Sequence, residues 1–280
     1  MFVSRLLSSI TLLLLLILIF KSSFFLKLLL FHVLSSLTIW EYFRLLKIKK
    51  YKFSISKSEE LNNILLTRIR NNVFEYFIIF LLQLVLFLFY KNFITEAHYF
   101  LFIFLFFGLS FIFKDFFFFF GLLYLLTPFF FLNYLSELEL NFILALVFII
   151  TISSDSGGYI FGKILKGPKL IKSISPNKTW SGFLGAILLS ILSTSFFLSD
   201  DNKFTFILLI ILFSIGCQSG DIIESYIKRK IKIKNSGSSI PGHGGILDRL
   251  DSFYFLTNLI MIFYFLDFNF FEIFDFNFLK

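Results

Sequence analysis

Four acidic residues form two pairs near the carboxyl-terminal end of the sequence. Asp221 and Glu224 are three residues apart, and so are Asp248 and Asp251. If both segments are helical, this spacing places the two carboxylates of each pair on one helix face. Crowded carboxylates repel one another unless a cation lies between them, and sites built from oxygen ligands favour Mg²⁺ over Zn²⁺. The spacing therefore predicts a magnesium site.

Basic side chains lie close to these acids in the sequence. They are Lys228, Arg229, Lys234, His243 and Arg249. Cations for phosphate oxygens beside carboxylates for a metal are typical of phosphoryl or nucleotidyl transfer, in which positioning and charge neutralisation dominate. The alternative is a set of salt bridges that cap two helices. That alternative does not account for the Pro-Gly-His-Gly-Gly segment at 241–245.

A second polar segment, Ser-Asp-Ser-Gly-Gly at 154–158, places Asp155 at the end of an apolar stretch. An ionisable residue at membrane depth is costly and marks a polar cavity or ion site by default. The glycines that follow would allow a ligand to approach the backbone closely. Alternatively, Gly158 and Gly162 form a small-residue contact between helices, and Asp155 only ends its helix.

A third segment, Ser-Pro-Asn-Lys-Thr-Trp at 175–180, predicts a turn that leads into a helix. Asn177 or Thr179 is positioned to cap that helix. Exposed amides at a helix amino terminus bind anions, and Lys178 adds a positive charge, so the segment suits a phosphate. The alternative is an interfacial tryptophan, Trp180, beside a cytoplasmic lysine.

The composition requires a membrane around these residues. Of the 280 residues, 58% are hydrophobic and 16% are charged, and the mean hydropathy is +0.87. The net charge of +8 is carried by short loops between apolar stretches, which argues against nucleic-acid binding. The single cysteine, Cys217, excludes an intramolecular disulfide and a cysteine-rich zinc site.

Apolar stretches of suitable length predict an all-α, polytopic membrane protein with about nine spans, or eight to ten. They lie at 4–20, 24–43, 73–90, 97–113, 116–134, 141–157, 179–198, 204–222 and 250–266. The first stretch is interpreted as a retained span rather than a cleaved signal peptide. We expect a single membrane domain over 1–280, with amino-terminal spans in 1–150 and the motif-bearing half at about 151–266.

The distribution of basic residues predicts the orientation. Lysines and arginines concentrate between spans two and three, six and seven, and eight and nine, whereas acids mark the opposite connections and the carboxyl-terminal tail. The positive-inside rule assigns the basic loops to the cytoplasm. We therefore expect a cytoplasmic amino terminus, a carboxyl terminus on the opposite side, and a site at the cytoplasmic membrane surface.

The residues that carry this chemistry resemble those of a known family, the phosphatidate cytidylyltransferases, also called CDP-diacylglycerol synthases. The resemblance rests on the segment 225–229, on Lys234, and on the run from Pro241 to Asp251. The segments around Asp155 and at 175–180 are similar to further family features. Together these segments cover about residues 153 to 255, whereas the amino-terminal spans match only in hydropathy.

The resemblance implies a reaction of CTP with phosphatidic acid that gives CDP-diacylglycerol and pyrophosphate in a bacterial inner membrane. The implied cofactor is Mg²⁺, with a second cation as an open alternative, and a homodimer is compatible with the long helices. The implied metal ligands are Asp155, Asp221, Glu224, Asp248 and Asp251. The implied catalytic residues are Asp221, Asp248, Asp251, His243, Lys228 and Arg229. Substrate binding is assigned to Ser175, Asn177, Lys178, Lys234, Gly244, Gly245 and Arg249.

Two positions depart from the family pattern. Ser181 stands where the family usually has a glutamate, and Asn235 where it has an aspartate, so each loses a carboxylate. These losses are the only support for a non-catalytic assembly protein or a weakened homologue. A cytidylyltransferase for another lipid phosphate would carry similar motifs. A transporter would place Asp155 and Asp221 near mid-span, whereas the predicted stretches place them at span ends.

Overall fold

A computed structural model of the chain describes residues 17, 19–52, 73–90, 116–198, 202–237, 239, 244–266 and 273–274. This part of the chain is mostly helical and contains one two-stranded antiparallel sheet. The helices are α1 (Phe24–Lys52), α2 (Val73–Tyr90), α3 (Phe116–Tyr134), α4 (Glu137–Ile164), α5 (Trp180–Thr194), α6 (Lys203–Lys230) and α7 (Leu247–Phe265). The strands are β1 (Lys169–Ile171) and β2 (Ser175–Thr179), and a short 3₁₀ turn, Ser195–Phe197, follows α5.

Five of the described helices are long and apolar enough to cross a membrane, which makes the chain an integral membrane protein. They are α1, α3, α4, α5 together with its 3₁₀ turn, and α6. Helices α2 and α7 coincide with two further predicted stretches, but their described parts are shorter or more charged than a span. The predicted stretch at 97–113, and nearly all of 4–20, lie outside the described residues.

The described residues group into two compact units. The first unit comprises 1–135 and 230–249, and the second comprises 136–229 and 250–280. The first unit is discontinuous in sequence because residues 230–249 join helices from the amino-terminal half. A single membrane domain over 1–280, with amino-terminal spans in 1–150 and the motif-bearing half at about 151–266, stays a prediction.

In the first unit, α1 packs against α3 through aromatic side chains. The ring centroids of Phe31 and Phe129 are 6.3 Å apart, and those of Phe43 and Phe118 are 6.0 Å apart. The phenol of Tyr42 donates a hydrogen bond to the carbonyl oxygen of Phe117. These contacts bury one face of α1 and fix its position along α3.

In the second unit, α4 and α5 approach one another at glycines. A β-carbon at Gly157 would lie 2.5 Å from the carbonyl oxygen of Gly185, and one at Gly182 would lie 2.6 Å from that of Gly158. Neither glycine can therefore be replaced without a shift of backbone. The small-residue helix contact, considered above as the alternative for the 154–162 segment, is what the structure contains.

Helix α4 does not end at Asp155. It begins with a capping box in which the Ser136 amide donates to Glu139 at 2.8 Å, and it continues to Ile164. Its 28 residues rise about 42 Å, more than the hydrocarbon core of about 30 Å, so the helix projects beyond the apolar layer. The part of that alternative in which Asp155 ends its helix is wrong, because α4 continues through Gly157 and Gly158 to Ile164.

The segment before α5 is a strand rather than the predicted turn. Residues 175–179 pair with β1 as an antiparallel hairpin, with Lys169 opposite Thr179. Pro176 is tolerated because both strands of a two-stranded sheet are edges. Thr179 caps α5, since its hydroxyl accepts the Gly182 amide at 3.1 Å, which confirms one of the two predicted caps. The hairpin thus holds Lys178 immediately before the helix.

Candidate active site

The hairpin and α6 bring a lysine and an acid together in the second unit. Lys178 Nζ lies 2.6 Å from Asp221 Oδ2, and both side chains are partly exposed. The Ser225 hydroxyl, one turn further along α6, donates to Asp221 Oδ1 at 3.4 Å. Two segments that the sequence analysis singled out separately, 175–180 and 220–225, therefore contribute to one place.

A second ion pair follows one turn later on α6. Lys228 Nζ lies 2.9 Å from Glu224 Oε2, and the two side chains retain only 11% and 13% of their exposure. At such burial, removing one partner of an ion pair is costly, because the other charge loses compensation. Lys228 is therefore positioned by Glu224.

Asp251 of α7 completes a group of charges that we call the acid–lysine cluster: Lys178, Asp221, Glu224, Lys228 and Asp251. Burial, and then repulsion from the Asp221 carboxylate, raise the pKa of Asp251 above its usual range, while Glu224 and Lys228 act in the opposite direction. Asp221 on α6 and Asp251 on α7 therefore repel one another.

Glycine at position 220 allows α6 and α7 to lie close together beside Asp221 and Asp251. A β-carbon there would lie 2.8 Å from the carbonyl oxygen of Asp251 and 2.7 Å from the β-carbon of Phe255. Only a residue without a side chain lets α6 and α7 approach so closely. The glycine that precedes Asp221 in the sequence therefore places the Asp251 segment beside it.

Asp248 has a different environment, in the first unit. Both of its carboxylate oxygens accept the Ser236 amide, at 3.0 and 2.9 Å, and Oδ2 also accepts the Gly245 amide at 2.9 Å. Gly244 has a φ of +89°, which favours glycine, and a β-carbon there would lie 2.7 Å from Asp248 Oδ2. Asp248 thus joins Ser236 to Gly245. We call the described residues around these two, 235–237, 239 and 244–246, the glycine loop.

One residue of this arrangement, Glu41, was not predicted from the sequence. Glu41 of α1 is fully buried, and its Oε1 and Oε2 accept the amides of Ile246 and Leu247 at 3.0 and 2.9 Å. The hydroxyl of Ser236 donates to it at 3.2 Å, and that of Ser239 also donates. An acid inside an apolar stretch was the available signal, because such a residue is functional by default.

The remaining predicted residues lie on several elements or outside the described residues. Ser175 and Asn177 are on β2, where Asn177 is exposed. Asp155 is exposed on α4, and Arg229 is partly buried near the end of α6. Lys234 and Arg249 are exposed in the first unit, before and after the glycine loop, whereas His243 lies outside the described residues.

The acid–lysine cluster fits a magnesium ion in the chemistry of its donors. Asp221, Glu224 and Asp251 offer only carboxylate oxygens. Burial is the first cause of the raised pKa of Asp251, and a cation would relieve the second cause, repulsion from Asp221. Within the described ranges, no three acidic, histidine or cysteine side chains already converge as a metal shell. Lys178 and Lys228 contact the oxygens of Asp221 and Glu224 instead.

The two departures noted in the sequence also have places in the structure. The Ser181 hydroxyl donates to the carbonyl oxygen of Lys166 and lies 3.1 Å from the Thr179 hydroxyl, so it ties α5 to the segment after α4. Asn235 is exposed next to Gly244 in the glycine loop. Ser181 therefore supports the hairpin that carries Lys178.

Comparison with known proteins agrees with this chemistry. Residues 3–267 match the model of the cytidylyltransferase family. Proteins named phosphatidate cytidylyltransferase from Staphylococcus haemolyticus, Staphylococcus epidermidis and Staphylococcus aureus are 44%, 45% and 43% identical to the chain over 119 residues. Each match covers 41% of this chain and 46% of the relative, so the chain spans about half the length of the relatives it matches.

Proposed function

Because the chain belongs to the cytidylyltransferase family, we propose that it transfers CMP from CTP to phosphatidic acid, giving CDP-diacylglycerol and pyrophosphate. A phosphate oxygen of the lipid forms a bond to the α-phosphorus of CTP, and the bond from that phosphorus to the bridging oxygen of pyrophosphate breaks. The relatives named for this activity support the substrates. The observation that carries the proposal is the acid–lysine cluster, which combines carboxylates with cations in a membrane protein.

Within this cluster, the lysines neutralise phosphate charge and the acids would bind the metal. Lys178, at the amino terminus of α5, neutralises phosphate oxygens, aided by the helix dipole. Lys228, held by Glu224, adds a second positive charge for the departing pyrophosphate. Asp221 and Asp251, with Glu224, would hold Mg²⁺, which supplies charge neutralisation at the phosphates. Metal-ligand roles for Asp155 and Asp248 stay predictions from the resemblance.

The other residues named in the sequence analysis keep the roles that the resemblance implies. Arg229, Lys234 and Arg249 would contact phosphates, and Ser175, Asn177, Gly244 and Gly245 would contact the nucleotide. His243 would orient a phosphate or assist proton balance. A second cation and a homodimer stay predictions.

The reaction is proposed to occur at the cytoplasmic face of a bacterial inner membrane. CTP arrives from water, whereas the acyl chains of phosphatidic acid stay in lipid, so a site at the surface serves both. We propose nine spans, with the amino terminus in the cytoplasm and the carboxyl terminus on the opposite side. The exposed lysines near the hairpin, at 163, 166, 169 and 172, support this orientation.

The test is an assay of purified protein in liposomes with radiolabelled CTP, phosphatidic acid and Mg²⁺. We expect labelled lipid that depends on both the metal and phosphatidic acid, and no product from an Asp251→Asn variant that elutes as folded protein. Labelled lipid with an isoprenoid phosphate in place of phosphatidic acid would redirect the substrate assignment. No product from folded wild-type protein with either lipid would overturn the proposal.

A further inference from the structure

Glu41 lies far in sequence from every residue assigned to the reaction, yet it accepts hydrogen bonds from the segment that leads into α7. It belongs to α1, and its hydrogen-bond partners are 195 to 206 residues later in the chain. The side chain is completely buried within the first unit. A buried carboxylate is stable only when several hydrogen bonds are donated to it, and Glu41 accepts four.

The Glu41 carboxylate accepts hydrogen bonds from backbone amides at the start of α7. The first amides of a helix have no acceptor within the helix, and Ile246 and Leu247 are two such donors. Each donates to a different oxygen of Glu41, at 3.0 and 2.9 Å. This contact replaces a local cap with one from another helix and fixes where α7 begins.

Two glycines of the loop are shaped to this carboxylate. A β-carbon at Gly237 would lie 2.8 Å from Glu41 Oε1, and one at Gly245 would lie 2.5 Å from Glu41 Oε2. Both φ values lie outside the left-handed region, so close approach rather than backbone conformation requires glycine here. The glycines therefore serve the contact with Glu41.

Arg44 adds a counter-charge one turn further along α1. It is buried, its guanidinium lies 4.7 Å above the Trp40 ring, and it interacts electrostatically with Glu41. A buried carboxylate with a cation and four hydrogen bonds is an ordered anchor rather than a surface charge.

We propose that Glu41 is a positioning residue that holds the glycine loop and the first turn of α7 in the geometry needed to bind CTP. The part of this inference that concerns CTP rests on the proposed function. Glu41 touches neither the nucleotide nor the lipid, and it acts through the amides of Ile246 and Leu247 and the hydroxyls of Ser236 and Ser239.

The test compares Glu41→Gln with wild-type protein in nanodiscs, with Glu75→Gln as the matched control. Glu75 is an acid of the same unit, on α2, that pairs with Lys47 at 2.8 Å. Hydrogen–deuterium exchange of a peptide covering 244–247 reports the order of the loop without requiring activity. Equilibrium binding of CTP and the KM values for CTP and phosphatidic acid report its consequence.

We expect Glu41→Gln to speed exchange at 244–247 and to weaken CTP binding, each by about tenfold, because neutralising the carboxylate weakens its hydrogen bonds. The KM for CTP should rise similarly while that for phosphatidic acid changes less than twofold. Glu75→Gln should match wild type in all measurements. If Glu41→Gln does not fold, Glu41→Asp, which keeps the charge, replaces it and should give a smaller change in the same direction.

Each other result overturns a defined part of the inference. Unchanged exchange at 244–247 would show that Glu41 does not order the loop, whether or not the protein is active. Faster exchange with unchanged CTP affinity would make Glu41 a structural residue only. If wild-type protein neither binds CTP nor forms product, the proposed function and the role of Glu41 in CTP binding are both overturned. Hydrogen–deuterium exchange at 244–247 would then decide whether Glu41 orders the glycine loop.

Discussion

The Lys178–Asp221 pair is partly exposed, with 27% and 35% of the side-chain surface accessible, so its net stabilisation is small, about 0–1 kcal/mol. Its importance lies in placing a positive charge at a helix amino terminus. We expect Lys178→Ala to lower kcat/KM for CTP by 10- to 100-fold, roughly 1.4–2.7 kcal/mol, with little change in thermal stability. Steady-state kinetics in liposomes measure the first effect and thermal unfolding the second.

Lys172 supplies the control because it lies exposed in the same hairpin region and is assigned no role in the reaction. Lys172→Ala should leave kcat/KM within twofold of wild type. Equal losses in both variants would show that general positive charge at the membrane surface, rather than the position of Lys178, supports activity.

Residue types alone could indicate much of the candidate site. The sequence singled out Asp221 and Asp251 as acids of one site, and the two repel one another in the structure. Lys178 lies beside Asp221 because β2 carries it there. Asp248 could not be placed by spacing, because its oxygens bind amides of a loop whose conformation depends on Glu41. The contacts of Glu41 on α1 with Ile246 and Leu247 join distant parts of the chain, and no periodic pattern in a single sequence indicates them.

Helix α6 carries two glycines, Gly216 and Gly220, one turn apart and facing α7. Replacing each of them tests how closely α6 and α7 must approach one another for activity. A β-carbon at Gly220 would meet the backbone carbonyl of Asp251 at 2.8 Å, whereas one at Gly216 would meet the end of the Leu259 side chain at 2.7 Å. A side-chain end can move and a helix backbone cannot easily do so. We expect Gly220→Ala to lower turnover at least tenfold and Gly216→Ala to change it less than threefold.

The liposome assay, performed on variants with equal elution profiles, measures this difference. Equal activity in the two variants would show that the distance between the Asp221 and Asp251 segments does not limit the reaction.

Helices α4 and α5 offer a similar pair for stability. A β-carbon at Gly157 would lie 2.5 Å from the Gly185 carbonyl oxygen, whereas one at Gly158 would lie 3.8 Å from that of Gly182, an ordinary contact. Gly157→Ala should therefore destabilise the protein by about 1–3 kcal/mol through overpacking, and Gly158→Ala should not. The midpoint of thermal unfolding in detergent checks this, and coincident midpoints would contradict the close helix contact.

The sequence predicted helices better than it predicted the segments between them. Helix α3 has the predicted bounds, Phe116–Tyr134, because its apolar run is long and uninterrupted. Strand β2 was predicted as a turn, because serine, proline and asparagine are typical turn residues and no alternation of apolar residues marks an edge strand. Helix α4 is longer than predicted, because Gly158 and Gly162 resemble a helix end while they pack against α5.

At the scale of the whole molecule, orientation can be tested with the single cysteine. Cys217 is buried in α6, so Cys217→Ala gives a cysteine-free background with one substitution. In that background, Lys172→Cys should react with a membrane-impermeant maleimide only from the cytoplasmic side. Glu137→Cys, at the exposed start of α4, should react only from the opposite side.

Labelling of intact cells and of inverted vesicles separates the two sides. Reaction of both variants from the same side would contradict the proposed orientation of α4. Reversed labelling of both would place the hairpin outside and would separate Lys178 from the cytoplasmic supply of CTP.

The contact between Glu41 and the glycine loop sets an order of events during biosynthesis. Ribosomes add about 5–20 residues per second, so the partners of Glu41, which follow it by 195 to 206 residues, emerge roughly 10 to 40 s later. During that interval α1 carries a carboxylate without these four donors. The first unit can close only after most of the chain has been translated, so a chain truncated before residue 236 should be a substrate for membrane proteases.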